Sequence, residues 1–298
     1  MPKVSRSKKS TLKGGIKLAC ADFTFPLVSH ETSLDLIAAL GFQGVDVGFF
    51  EGRSHVQPSS ALKNPAGSAR KLQALCTERG LGIADLFLIP GPTVEDLAPN
   101  HPDAAVRRKA RSLFERSLAF AQACGAGHFS ALPGVHWPTE SRRDSTARCA
   151  EEMAWRVGRA ATAGMPFSIE AHTGSIVEKP EQVLALIKEV PGLRLTLDYG
   201  HFANQGLTAD AIEPLLPHAG HVHARGGCTG KIQVVAAENT IDFPRMAKAL
   251  QQLKYRGWIC LEYVWMDKWD CNRVDNLSET VLLRDVLHDA LKTGRPTR

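Results

Sequence analysis

Along this chain, short runs of apolar and β-branched residues alternate with longer segments in which apolar positions recur at helical spacing. Strands are predicted at Ile16 to Asp22, Gly44 to Phe49, Leu81 to Leu88, His128 to Gly134, Pro166 to His172, Leu193 to Tyr199, Gly220 to Arg225 and Gly257 to Val264. Helical patterns lie near 32–40, 64–79, 103–124, 141–163, 180–188, 208–216, 243–253 and 275–291. Ser29 or Thr32, Pro180, and Asp242 followed by Phe243-Pro244 stand where helices open. Strands as continuously apolar as Pro-Phe-Ser-Ile-Glu-Ala-His and Gly-Trp-Ile-Cys-Leu-Glu-Tyr-Val are covered on both faces, as in a parallel sheet. Eight β-then-α units of this kind predict an α/β protein, a single (β/α)8 barrel. A doubly wound open sheet would place a Gly-rich phosphate loop after its first strand, and the segment Ala-Cys-Ala-Asp-Phe-Thr-Phe there has none. With no repeat or linker inside it, residues 16–298 read as one domain.

Charge changes the picture only at the start of the chain. The sequence has 298 residues with 36 Lys and Arg against 31 Asp and Glu. Lys3, Arg6, Lys8, Lys9 and Lys13 account for the whole excess, so the body is formally neutral. Residues 1–15 are expected to be a disordered basic tail, and a neutral body argues against a nucleic-acid partner. No secretory-signal pattern and no long apolar run occurs, so no membrane insertion and a cytoplasmic location are expected. The seven cysteines form no C-x-x-C pair and are odd in number, which predicts buried thiols in a reducing compartment.

The chemistry gathers at the ends of the later strands, which in a barrel converge on one mouth. Strand five ends Glu170-Ala171-His172, strand six Asp198-Tyr199-Gly200-His201, strand seven His221-Val222-His223-Ala224-Arg225, and strand eight Glu262-Tyr263. Alternation puts Glu170 and His172 on one face, and His221, His223 and Arg225 on one face. Each acid alone reads as half of an ion pair or a helix-cap acceptor. Three buried carboxylates meeting without a cation would repel one another, and a divalent metal resolves that conflict. Three carboxylates and one imidazole suit Mn²⁺, Mg²⁺ or Co²⁺. His221 reads as a core histidine, Asp85 as structural or as a support behind the site, and His136-Trp137 as either a lid element or local packing. His172 and His201 are candidate substrate donors or loop residues, and Arg225 a holder of a substrate oxygen or of an Asp side chain.

From Ile16 to Leu291 the chain resembles the xylose isomerase-like TIM barrels, often called sugar phosphate isomerases/epimerases. That superfamily includes ketose 3-epimerases, hydroxypyruvate isomerases and inosose dehydratases. The resemblance rests on Glu170-x-His172-x-Gly174, Asp198-x-x-His201, His221-x-His223 and the closing segment from Ile241-Asp242-Phe243 to Glu262. It implies one divalent metal, Mn²⁺ first with Mg²⁺, Co²⁺ or Zn²⁺ as alternatives, held by Glu170, Asp198, His223 and Glu262, with His201 matching a histidine that contacts substrate, or a metal in the nuclease branch. The chain departs from the family where Ile176 replaces a further Glu of the ketose 3-epimerases and Arg225-Gly226-Gly227 replaces Lys-Asp. Ala236-Ala237-Glu238-Asn239 likewise replaces a Gly-rich element.

The expected activity is a metal-dependent isomerase or epimerase on a sugar or related polyhydroxy carbonyl compound. Glu170 and Glu262 would carry protons to and from a metal-stabilised enediolate, with His172, His201 and Arg225 binding substrate. A dehydratase on the same scaffold is the alternative. An endonuclease IV-like phosphodiesterase would need histidines on strands two and three and a basic face, which this sequence lacks, and a non-catalytic sugar-binding barrel is the remaining class. The partner is then a small carbohydrate, with a homo-oligomer possible.

Overall fold

A computed structural model describes residues 15–293 of the protein. The expected tail falls, through residue 14, outside the described residues. The strands are β1 Lys17–Ala21, β2 Gly44–Phe50, β3 Gly82–Ile89, β4 Phe129–Ala131, β5 Phe167–Glu170, β6 Arg194–Asp198, β7 Ala219–Ala224 and β8 Trp258–Leu261. They pair in parallel in sequence order, and β1 pairs with β8 to close the barrel. Outside run α1 His30–Ala39, α2 Pro58–Ala61, α3 Pro65–Glu78, α4 Ala104–Cys124, α5 Arg142–Thr162, α6 Pro180–Glu189, α7 Tyr199–Asn204, α8 Ala209–Ile212, α9 Phe243–Gln252 and α10 Asn276–Thr293.

The helix starts follow the expected capping chemistry. Ser29 Oγ accepts from the Thr32 amide, and Asp242 accepts from the Arg245 amide. The main differences from the sequence reading lie at β6, β4 and the segment after β6. Asp198 ends β6 and its carboxylate accepts from the Gly200 amide, so Tyr199 to His201 turn into α7 instead of extending the strand. Strand four is only Phe129–Ala131, and 208–216 splits into α8 and a 3-10 turn containing Pro214 and Pro217.

Alternation sorts each strand into an outer and an inner set. Leu18, Val45, Phe49, Leu86, Ile169, Leu197, Val222 and Ile259 face the helices in the main core. The barrel interior is divided. Its β8–β1–β3 side is apolar, with Ala19, Ala21, Phe50, Phe87, Ile89 and Cys260 in one cluster. The side made by β4 to β7 is polar, with Ser130, Ser168, Thr196, His221 and His223 all buried.

Two irregularities aim the polar residues inward. The β2–β3 register shifts so that Asp46 sits opposite Asp85, and the β6–β7 register shifts so that Thr196 sits opposite His221. Gly220 occupies the second irregularity, where a Cβ would lie 2.4 Å from Ser168 Oγ, so only glycine lets β7 approach β5 this closely. Among the described residues no helix is long and apolar enough to cross a membrane. The seven cysteines are free thiols, all buried except the half-buried Cys228.

Candidate active site

The strand ends from β5 to β8 meet at the mouth of the barrel, under a cavity of about 530 Å³ lined by Glu170, His172, His201, Arg225 and Glu262 among others. His223 is at the centre. Its Nδ1 lies 2.8 Å from Glu170 Oε1 and 2.7 Å from Glu262 Oε2, which brings β5, β7 and β8 to one point. Ligand atoms of Glu170, His223 and Glu262 lie within 4.8 Å of one another, and so do those of Glu170, Asp198 and His201. Glu170 is common to both groups.

Asp198 is engaged by a cation. Arg225 Nη2 donates to its Oδ2 at 2.6 Å and lies 3.2 Å from His201 Nε2. The predicted substrate arginine therefore also braces an acid within the site. The neighbouring Gly226 packs against a loop, with room for a Cβ only 2.7 Å from the Val234 carbonyl oxygen. That packing gives a physical reason for glycine at this position.

The remaining histidines are oriented by backbone groups. His172 Nδ1 donates to the Thr173 carbonyl at 2.8 Å, so its Nε2, buried and without a partner, is an acceptor in a residue that lines the cavity. The Thr173 amide donates to His201 Nδ1 at 3.2 Å, which leaves His201 Nε2 facing Asp198 at 3.6 Å and Glu170 at 3.9 Å.

Electrostatics separates the acids. Burial, reinforced by the charge of Glu262, raises the Glu170 pKa to about 7. Burial acts the same way on Glu262, but His223 and Arg225 outweigh it and hold this carboxyl below its ordinary value. Burial also lifts Asp198 against the pull of Arg225. His172 is pushed down to about 4 by burial, and His201 well below its ordinary range by burial and then Arg225, so both are neutral imidazoles at pH 7. His223 is the opposite case: burial disfavours its charge, but Glu262, Asp46 and Glu170 carry it well above the ordinary value.

Beneath this mouth lies a polar layer that the sequence signalled only in part. Asp46 Oδ2 is 2.5 Å from His221 Nε2 and 3.4 Å from His223 Nε2, so one carboxylate meets both histidines of His221-x-His223. Asp85 Oδ1 pairs with His128 Nδ1 at 2.7 Å, and His128 Nε2 meets Ser168 Oγ at 2.8 Å. His221 is thus the satisfied core histidine expected, and Asp85 is structural. Asp46 was missed, although an acid at an inward position of the apolar run Gly44-Val45-Asp46-Val47 is a readable signal. Trp137 packs locally, edge-on to His101 and with its indole N–H 3.4 Å from Asn100 Oδ1.

The donor set fits a divalent cation. Glu170, Asp198 and Glu262 offer carboxylate oxygens beside the His223 imidazole, and an ion held there would take the place of the proton that these acids keep on His223. Glu262 Oε2 is buried without a hydrogen-bond partner, and it is one of the atoms converging on His223.

Comparison with known proteins agrees with this architecture. Solved structures similar to it include a D-psicose 3-epimerase from Clostridium cellulolyticum H10 with D-tagatose, at TM-score 0.70 and 15% identity over 94% of this chain and 98% of that one. A D-tagatose 3-epimerase-like protein gives TM-score 0.74 and 18% identity over 94% and 100% of the two chains. The probable 3-DHS dehydratase AsbF from Bacillus anthracis gives 0.66 and 16% over 90% and 99%. At these identities the likeness is one of fold. No curated protein matches the chain by sequence. The family model for the xylose isomerase-like TIM barrel matches residues 34–284, and the chain belongs to that family.

Proposed function

We propose that this protein is a divalent-metal-dependent isomerase or epimerase of a polyhydroxy carbonyl compound. The observation that carries the reading is the placement of Glu170 and Glu262, from β5 and β8, on either side of His223 Nδ1 at 2.8 and 2.7 Å beneath one cavity. Glu170, Asp198, His223 and Glu262 would hold the metal. When bound, the ion polarises a substrate carbonyl and lowers the cost of negative charge on the oxygens beside it.

The chain's own groups supply the rest. Glu170, beside His223 Nδ1 beneath the cavity, would accept the proton from the carbon next to the carbonyl. Glu262, on the other side of His223 Nδ1, would be the second proton carrier, taking a proton from solvent and returning it to the substrate. The neutral His172 accepts a substrate hydroxyl at Nε2, and His201 and Arg225 position the oxygens near Asp198. Return of the proton to the opposite face gives epimerisation, return to the adjacent carbon gives isomerisation, and loss of a hydroxyl at the β carbon gives dehydration. Among proteins of similar fold are a psicose 3-epimerase and a probable dehydratase, which supports this range of outcomes.

The test is incubation of the Mn²⁺-loaded protein in deuterated water with ketoses, inososes and hydroxypyruvate. Incorporation of deuterium at a carbon next to the carbonyl is expected for one of these. Absence of exchange with all of them, with metal bound, would overturn the proposal.

A further inference from the structure

The cavity above the carboxylates has a second charged feature. Arg53, on the loop after β2, and Lys268, on the segment after β8, both line it. Neither has an acidic partner among the described residues. Each instead lies over an aromatic ring, Arg53 at 5.0 Å from the Phe50 centroid and Lys268 at 4.4 Å from that of Trp269. Arg53 is exposed at the rim of the cavity and its guanidinium lies in the field of Glu262 and Glu170.

Both cations sit on unusual backbone. Gly52, next to Arg53, has φ +79°, and Trp269 and Asp270, next to Lys268, have φ +61° and +54°. Two consecutive non-glycine residues in the left-handed region are strained, and such strain is maintained where surrounding structure holds a loop in a functional geometry. Lys268 and Trp269 of this segment both line the cavity. Phe23, Phe50, Phe87 and Val264 make an apolar part of the wall, and Thr93 and Glu95 also line the cavity.

Resting on the function proposed above, we infer that Arg53 and Lys268 form an anion subsite, and that the substrate carries a carboxylate or phosphate remote from its reacting carbons. A divalent ion balances the carboxylates deeper in the site, so these two cations are left for the substrate. A neutral sugar would leave them both unpaired at the mouth.

The test uses unreactive polyols that differ only in charge. D-Glucitol, D-gluconate and D-glucitol 6-phosphate are titrated by calorimetry into the Mn²⁺-loaded protein and into Arg53→Gln and Lys268→Gln, singly and together. Both variants replace exposed side chains. Wild type should bind at least one anionic polyol about tenfold or more tightly than glucitol, each single variant should lose much of that preference, and the double variant all of it. Preference for gluconate names a carboxylate, and preference for the 6-phosphate names a phosphate. Equal affinity for neutral and anionic polyols, or a preference that survives in the double variant, would overturn the inference. Failure of the underlying reading is seen separately, as anion preference in a protein that exchanges no substrate proton in deuterated water.

Discussion

Replacing Asp46 by Asn tests whether the polar layer under the site orients the residues above it. Asp46 is fully buried, and its Oδ2 is shared between His221 at 2.5 Å and His223 at 3.4 Å. Burial by itself would keep its proton on, but His221 and then His223 hold it ionised, so the carboxylate is a charged partner for both rings. Asparagine preserves the volume and one acceptor oxygen while removing the charge.

Removing one member of a buried ion pair typically costs about 3 to 5 kcal/mol, and the retained oxygen places Asp46→Asn near the lower end, about 3 kcal/mol. A second effect follows from the geometry of His223. Its Nε2 faces Asp46 and its Nδ1 faces Glu170 and Glu262, so the carboxylate favours the proton on Nε2 and leaves Nδ1 as the ligand atom. Loss of such an orienting carboxylate commonly weakens metal binding by about 10- to 100-fold. Urea denaturation of the metal-free protein and Mn²⁺ titration of both forms measure the two effects. A stability loss below about 1 kcal/mol together with unchanged Mn²⁺ affinity would refute the reasoning.

Further outcomes follow from the same geometry. The folded-state pKa of Glu170 is raised to about 7 from 4.5, so its contribution to stability is fully present below pH 4.5 and is lost as pH rises through 7. The gap is worth on the order of 3 kcal/mol, and the raised pKa of His223 acts with the same sign. The metal-free protein should therefore lose melting temperature as pH rises across that window, and the increase produced by Mn²⁺ should grow with pH. A gap between the two that stays constant with pH would contradict this. Gly220→Ala should destabilise by about 1 to 3 kcal/mol, because the new methyl meets Ser168 Oγ at 2.4 Å and has no room to move; denaturant melting checks it.

The barrel was legible because its two periodicities are clean. Continuous apolar strands such as the one containing Ile259, Cys260 and Leu261 alternate with capped helices, and the caps at Ser29 and Asp242 lie where the sequence put them. The mouth was legible because Glu170, His223 and Glu262 stand at strand ends, and a barrel brings strand ends together. The turn into α7 was less visible. It depends on Asp198 capping its own chain two residues on, a local hydrogen bond that competes with strand extension.

The pairing of Arg225 with an Asp was one of the two readings the sequence offered, whereas the pairing of Asp46 with both histidines was not legible for a different reason. Those contacts join β2 to β7, strands far apart in the sequence, and depend on register shifts beside Asp46 and Gly220. A shift of one residue would turn either strand over, and hydropathy at one strand does not reveal the register of the next. The anion subsite lies on loops, where neither periodicity applies.

The measurement that bears most directly on the central claim is solvent deuterium exchange in Glu170→Gln and Glu262→Gln, each loaded with Mn²⁺ and supplied with a substrate the wild type accepts. Glutamine keeps the size and one coordinating oxygen but cannot carry the proton. Turnover should fall on the order of 10²-fold or more in both variants. Exchange should vanish in the variant that lacks the base, expected to be Glu170→Gln, and persist in the one that lacks only the returning acid. Near wild-type turnover in both variants, with Mn²⁺ still bound, would remove the two glutamates from the proton path and contradict the account.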